Sequence, residues 1–167
     1  MPESLVLSPM VDSTLDRVGF PLDHPYIEQV WLPVLGPTSV LLLRRAGSLL
    51  DEHPQGVRVD LVELSRAFGL GPKPGVEEVG RHAPIRRTLD RVVQFRLGSW
   101  LGDDRLGVYT KVPAVSRSQA ERLPESVRGL HDRLLDDHLG RLAAPPTAAR
   151  LAAVSSSSEP SHRALSR

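Results

Sequence analysis

The sequence predicts a mostly α-helical protein with one small β-hairpin, an α+β chain whose central unit is flanked by additional helices at both ends. Three observations carry this. Apolar residues recur at helical spacing in several separate stretches, and a polar Gly/Asp turn, Gly102-Asp103-Asp104-Arg105, joins two β-prone segments. Between Thr38 and Val112 the signals run helix, short strand, helix, helix, strand, turn, strand.

Residues 1–22 show no sustained periodicity and predict a flexible arm. Asp23-His24-Pro25 then opens a helix with Ile27, Val30, Trp31, Val34 and Leu35 on one face, which Pro33 kinks or splits. Gly36-Pro37-Thr38 restarts the chain into a largely buried helix. Val40 to Leu43, Ala46, Leu49 and Leu50 supply its apolar surface, and Arg44 and Arg45 form its exposed edge. After the breaker His53-Pro54-Gln55-Gly56, Val57-Arg58-Val59 is a short extended run. Asp60 follows as an N-cap, with Glu63 three residues on. Leu61, Leu64, Ala67 and Phe68 share the apolar face of the next helix, which Gly69-Leu70-Gly71 ends.

From Pro84 to Leu97 the helical pattern is strongest. Ile85, Leu89, Val92 and Val93 make the apolar stripe, and Pro84 suits the first helical position, where a missing N–H costs nothing. The opposite face carries Arg86, Arg87, Asp90, Arg91 and Gln94. Between Gly80 and Arg96 five arginines face the single acid Asp90, a local formal charge of +4 in a chain whose total is +1. Arg can bond guanine O6 and N7 or phosphate, and Gln can pair with an adenine edge, so this is the face a major-groove reader needs. Ser99-Trp100-Leu101 and Leu106 to Val112 flank the turn as a hairpin, in which Arg105 and Lys111 would reach phosphate while Asp103 and Asp104 would repel it. Trp100 and Trp31 are read as core aromatics.

Val57 to Val112, with Val-Asp-Leu-Val-Glu-Leu-Ser-Arg-Ala-Phe-Gly-Leu followed by Pro-Ile-Arg-Arg-Thr-Leu-Asp-Arg-Val-Val-Gln-Phe-Arg-Leu, resembles winged-helix domains of actinobacterial type. The resemblance is one of element order and texture and covers about a third of the chain, nearer half if Thr38 to His53 is its first helix. It implies a winged helix-turn-helix, duplex DNA as partner, and a transcription regulator or DNA-binding accessory protein. Pro84 to Leu97 would be the recognition helix and the hairpin the wing. Arg86, Arg87, Arg91 and Gln94 would then face base edges and phosphates, with backbone contacts from Arg81, His82, Arg105 and Lys111. One departure is Gly71 to Ala83, about a dozen residues where the compact motif has a short turn.

Beyond the hairpin, Ser116 to Arg122 predicts a short polar helix, and Pro124-Glu125-Ser126 opens another that ends at Gly140. Its Val127, Leu130 and Leu134, continued by Leu135 and Leu139, offer a homodimer seam. The domain so defined spans 23–142. Residues 143–167, rich in Ala, Pro and Ser, predict a disordered tail.

Other classes find little support. Without cysteine there is no disulfide framework or thiolate metal site. His131 and His138 are seven apart, not the i, i+4 pair of a zinc helix, and the Gly-rich pieces match neither a P-loop nor a dinucleotide fingerprint. The reading is therefore a non-enzyme with no cofactor and no metal. No apolar run approaches bilayer length and no leader pattern opens the chain, so the expected compartment is the cytoplasm. The competing reading is a protein-interaction module built on a winged helix that does not bind DNA, favoured by near-neutral overall charge and the acidic hairpin tip.

Overall fold

The first strand, β1 (Ser4–Met10), lies where the sequence predicts a loose arm, and it sits inside the main sheet. Leu5 and Leu7 at alternate positions are buried, the period of a half-covered strand. Pro9, which has no N–H to give a neighbour, falls beyond the residues that pair on one side. The computed structural model describes residues 4–71, 79–80 and 83–144. The expected tail from residue 145 onward lies outside them.

After β1 come α1 (Ser13–Val18), capped by the Asp12 carboxylate, and the two-residue strand β2 (Phe20–Pro21). The helix expected after Asp23 is split, as Pro33 predicts, into α2 (Pro25–Gln29) and α3 (Leu32–Leu35). His24 caps α2 through Nδ1, which accepts from Tyr26 N at 3.1 Å. Then α4 (Pro37–Glu52) buries Val40, Leu42, Leu43, Ala46 and Leu50. A tight turn leads into β3 (Val57–Asp60). Gly56 makes that turn at φ +99, and a Cβ there would meet the Leu7 carbonyl at 2.7 Å, so only glycine fits beneath β1.

Asp60 caps α5 (Leu61–Ala67) by accepting from Val62 N and Glu63 N at 2.7 and 2.9 Å. Its end is the Schellman turn the glycine predicts: Gly69 at φ +67, with Leu70 N bonded to Ser65 O. Next come α6 (Pro84–Gln94), β4 (Gly98–Trp100) and β5 (Arg105–Tyr109). The α6 end makes the same turn, Leu97 N to Val92 O, but with Arg96 at φ +58 in the position glycine usually takes. The hairpin's second strand stops at Tyr109. Lys111 and Val112 instead form β6 (Lys111–Val112), which pairs with β2 in a separate two-stranded sheet. The chain closes with α7 (Arg117–Ala120), held by a Ser116/Gln119 capping box, and α8 (Glu125–Ala143), three residues longer than its Gly140 signal predicts.

The main sheet has the order β3-β1-β5-β4. β1 runs antiparallel to β3, with Leu5 opposite Val59, and parallel to β5, with Leu7 opposite Leu106. The parallel pairing makes everything from α1 to β4 a crossover between β1 and β5. Leu5, Leu7, Leu106 and Val108 share one core with Leu42, Leu43, Leu61, Leu89 and Val92. α6 packs on α4, α5 and β4, the first strand of the hairpin. The described residues are thus an α+β fold.

Candidate nucleic-acid interface

Helix α6 is amphipathic. Ile85, Leu89 and Val92 are fully buried, at about 1.5–3 kcal/mol for each large apolar side chain, so the helix cannot rotate to hide its charged side. Thr88, on the buried side, bonds the Pro84 carbonyl at 2.9 Å and lies 3.4 Å from the Thr38 hydroxyl of α4. Arg87, Asp90, Arg91 and Gln94 are all exposed.

The candidate residues separate into groups once side chains are placed. Arg87 and Gln94 are exposed with no ion pair or hydrogen bond among the described residues. Arg91 donates to the Val34 carbonyl at 2.9 Å and lies 5.4 Å from the centroid of the Phe95 ring, so its guanidinium is held in position while remaining exposed. Arg86 departs from the expectation of a base-facing residue. It is half-buried and donates to the Val79 carbonyl at 3.3 Å, tying Val79 to the helix. Arg105 is exposed at the first residue of β5. Lys111 is elsewhere: it sits in β6 and donates its ammonium to the Asp16 carbonyl, pinning α1, so it belongs to the small sheet and not to the hairpin. Arg81 and His82 lie outside the described residues, as does most of the Gly71 to Ala83 departure.

The hairpin tip differs in charge from its sequence reading. Asp104 is paired with Arg58 of β3 at 3.5 Å, and the same guanidinium nitrogen donates to Ser4 Oγ at 2.8 Å. One of the two repelling acids therefore has a cationic partner, which reaches it across β1. Trp100, expected in the core, is 36% exposed on the edge strand β4, and neighbouring Leu101 is 51% exposed. Trp31 is buried as expected, its indole N–H donating to the Pro113 carbonyl at 3.1 Å. Arg96, counted in the local charge but not among the expected contact residues, is exposed in left-handed backbone immediately after the arginine face. The strain marks it, since an unfavourable φ is kept only where neighbouring structure imposes it.

His131 and His138 each have a specific partner within the fold. His131 Nδ1 lies 2.7 Å from Tyr26 Oη, which also accepts from Val115 N at 3.1 Å. His138 bonds the Val18 carbonyl at 3.1 Å and stacks on Phe20, with ring centroids 4.2 Å apart. Burial pushes the Tyr26 hydroxyl up to about 12 and, with the His138 and Arg141 charges, holds His24 below its ordinary value. These contacts clasp α8 onto α2 and β2. Val127 and Leu134 of the expected dimer seam pack on the chain's own core, and Leu130 is half-buried. The large apolar side chains that α8 leaves exposed are Leu139 and Leu142. No helix among the described residues is long and apolar enough to cross a membrane. Comparisons with protein-family models, characterised proteins and solved structures find no match, so the functional reading rests on the residues of this chain alone.

Proposed function

We propose that the chain binds duplex DNA through a winged helix-turn-helix formed by α4, α5, α6 and the β4–β5 hairpin, as a transcription regulator or DNA-binding accessory protein. The observation that carries this is the α6 face, where Arg87, Arg91 and Gln94 stand exposed together opposite a fully buried stripe, on a helix that packs on the first strand of the hairpin bearing Arg105. Arg and Gln on one helix face suit guanine and adenine edges and the phosphates beside them. The Arg58 guanidinium beside Asp104 weakens the electrostatic objection to a hairpin approaching phosphate. In this reading β1 is an elaboration that braces the hairpin against β3.

The test is fluorescence anisotropy of a mixed-sequence duplex at low and physiological salt. Binding should weaken steeply with salt, and Arg87→Ala with Arg91→Ala should abolish it while far-UV circular dichroism stays the same. Unaltered affinity in that variant would remove the α6 assignment. Exposed Trp100 and Leu101 on an unpaired strand edge favour a second reading, a protein-interaction module that does not bind DNA. Its association would respond little to salt and would be lost on Trp100→Ala.

A further inference from the structure

We propose that the groove between the N-termini of α4 and α6 is a phosphate-binding seat; on the DNA-binding reading, which this inference deepens and rests on for its occupant, the group seated there is a backbone phosphate of the duplex. The groove encloses about 380 Å³, and its walls include Gly36, Thr38 and Ser39 from the start of α4 and Pro84, Arg87 and Arg91 from α6. Its described lining contains two arginines and no acid.

Both helices begin without a side-chain cap. α4, 16 residues long, follows Gly36, and α6, 11 residues long, follows Ala83. Each has proline at its first position, and neither receives a capping hydrogen bond from a side chain among the described residues. Gly36 holds φ +80 and ψ 160, a region essentially closed to other residues, so a Ser or Asp cap cannot be placed there without strain. The N–H groups of Thr38 and Ser39 belong to the turn that has no intrahelical acceptors, and each helix adds about half a positive charge at its start. Two uncapped N-termini and two guanidiniums in one groove make a local field that selects an anion with several acceptor oxygens.

A separate observation points to a ligand. Ser39 is 1% exposed, lines this groove, and its Oγ has no hydrogen-bond partner among the described residues. A buried hydroxyl left unpartnered costs about 1–3 kcal/mol, a cost that an incoming phosphate oxygen would remove. Arg91, anchored to the Val34 carbonyl through one nitrogen, keeps its remaining N–H groups for the same oxygen set, and Arg87 has no competing partner among the described residues.

The experiment titrates the full chain with sodium orthophosphate against chloride at equal ionic strength, following backbone amide and arginine side-chain signals by NMR, and in parallel measures duplex binding. Saturable shifts at Thr38, Ser39 and Arg87 are expected. They should be lost in Arg87→Gln and weakened in Ser39→Ala, while Arg122→Gln, which removes the same charge elsewhere, leaves them in place. Arg87→Gln should weaken duplex binding about tenfold and lower the salt slope by about 1. Ser39→Ala should melt no lower than the parent, since no described group uses that hydroxyl. Localised phosphate shifts without duplex binding would support the seat, identify a free phosphate ester as its source and sink the DNA reading. Duplex binding that Arg87→Gln leaves intact, with no groove shifts in phosphate, would overturn the seat and leave the DNA reading standing. Neither response would overturn both.

Discussion

Replacing Tyr26 by Phe isolates one buried polar junction. Tyr26 is 0% exposed and stacks on Phe20, with ring centroids 3.9 Å apart and planes 6° from parallel, a contact the Phe ring preserves. What is lost is the oxygen. Oη accepts from the buried Val115 N–H at 3.1 Å and pairs with His131 Nδ1 at 2.7 Å. Leaving the Val115 donor unsatisfied costs about 1–3 kcal/mol, and losing the bond to half-buried His131, which water can partly replace, costs about 0.5–1.5 kcal/mol. The sum, roughly 2–4 kcal/mol, corresponds to a Tm lower by about 5–15 °C for a domain of this size. His131→Ala removes the second bond and a tilted ring contact, with centroids 5.8 Å apart, but leaves the Val115 bond, and should cost less. The assay is thermal and urea denaturation by circular dichroism, closed into a double-mutant cycle. A raised hydroxyl pKa adds a second signature. Because the folded value, about 12, lies above the unfolded 10, the stabilisation is complete below pH 10 and is lost as pH rises from 10 towards 12. The Phe variant should lack that alkaline loss. A Tm within 1 °C of the parent, or an unchanged alkaline profile, would refute the account of this junction.

Arg96→Gly relieves a left-handed residue in the α6 end turn and should stabilise the fold by about 0.5–1 kcal/mol, read from urea midpoints; a lower midpoint would show that the Arg96 side chain contributes more than its backbone strain. Arg86→Ala should lower stability by about 1–2 kcal/mol because it releases the Val79 carbonyl, whereas Arg87→Ala should leave the melt unchanged; the reverse ranking would overturn the division between a tying and an exposed arginine. Leu89→Ala should cost about 2–5 kcal/mol in urea denaturation, since the side chain is 1% exposed beneath the arginine face; a cost below 1 kcal/mol would contradict that packing. His24, whose pKa is lowered by burial first and by the His138 and Arg141 charges next, favours the neutral ring in the folded state. Its contribution is whole above pH 6.5 and lost as pH falls below it, so the acid-side decline in Tm should shrink in His24→Asn, which keeps a capping acceptor.

Much of this architecture was legible in the chain because its signals act within a turn or two. Asp60 caps α5, Gly69 ends it, Pro84 opens α6, Pro33 splits the helix after Asp23, and Ser116 with Gln119 boxes α7, each through bonds spanning about three to five residues. The stripe of Ile85, Leu89 and Val92 likewise announced which side of α6 would be buried, and hence that Arg87, Arg91 and Gln94 would be exposed. What the tertiary structure decided are matters of long-range pairing. Residues 4–10, interrupted by Pro9, become a central strand only because Val57–Asp60 and Arg105–Tyr109 arrive from about 50 and 100 positions away to satisfy both of its sides. The same pairing draws Arg58 onto Asp104, and the β2–β6 match takes Lys111 out of the hairpin. Arg86 and Arg87 are adjacent and chemically identical, yet Arg86 is half-buried and bonded to the Val79 carbonyl while Arg87 is exposed. Caps and periodicity are local free energies written in neighbouring residues, whereas register and side-chain partnership minimise the unburied apolar surface and unpaired polar groups of the whole chain at once.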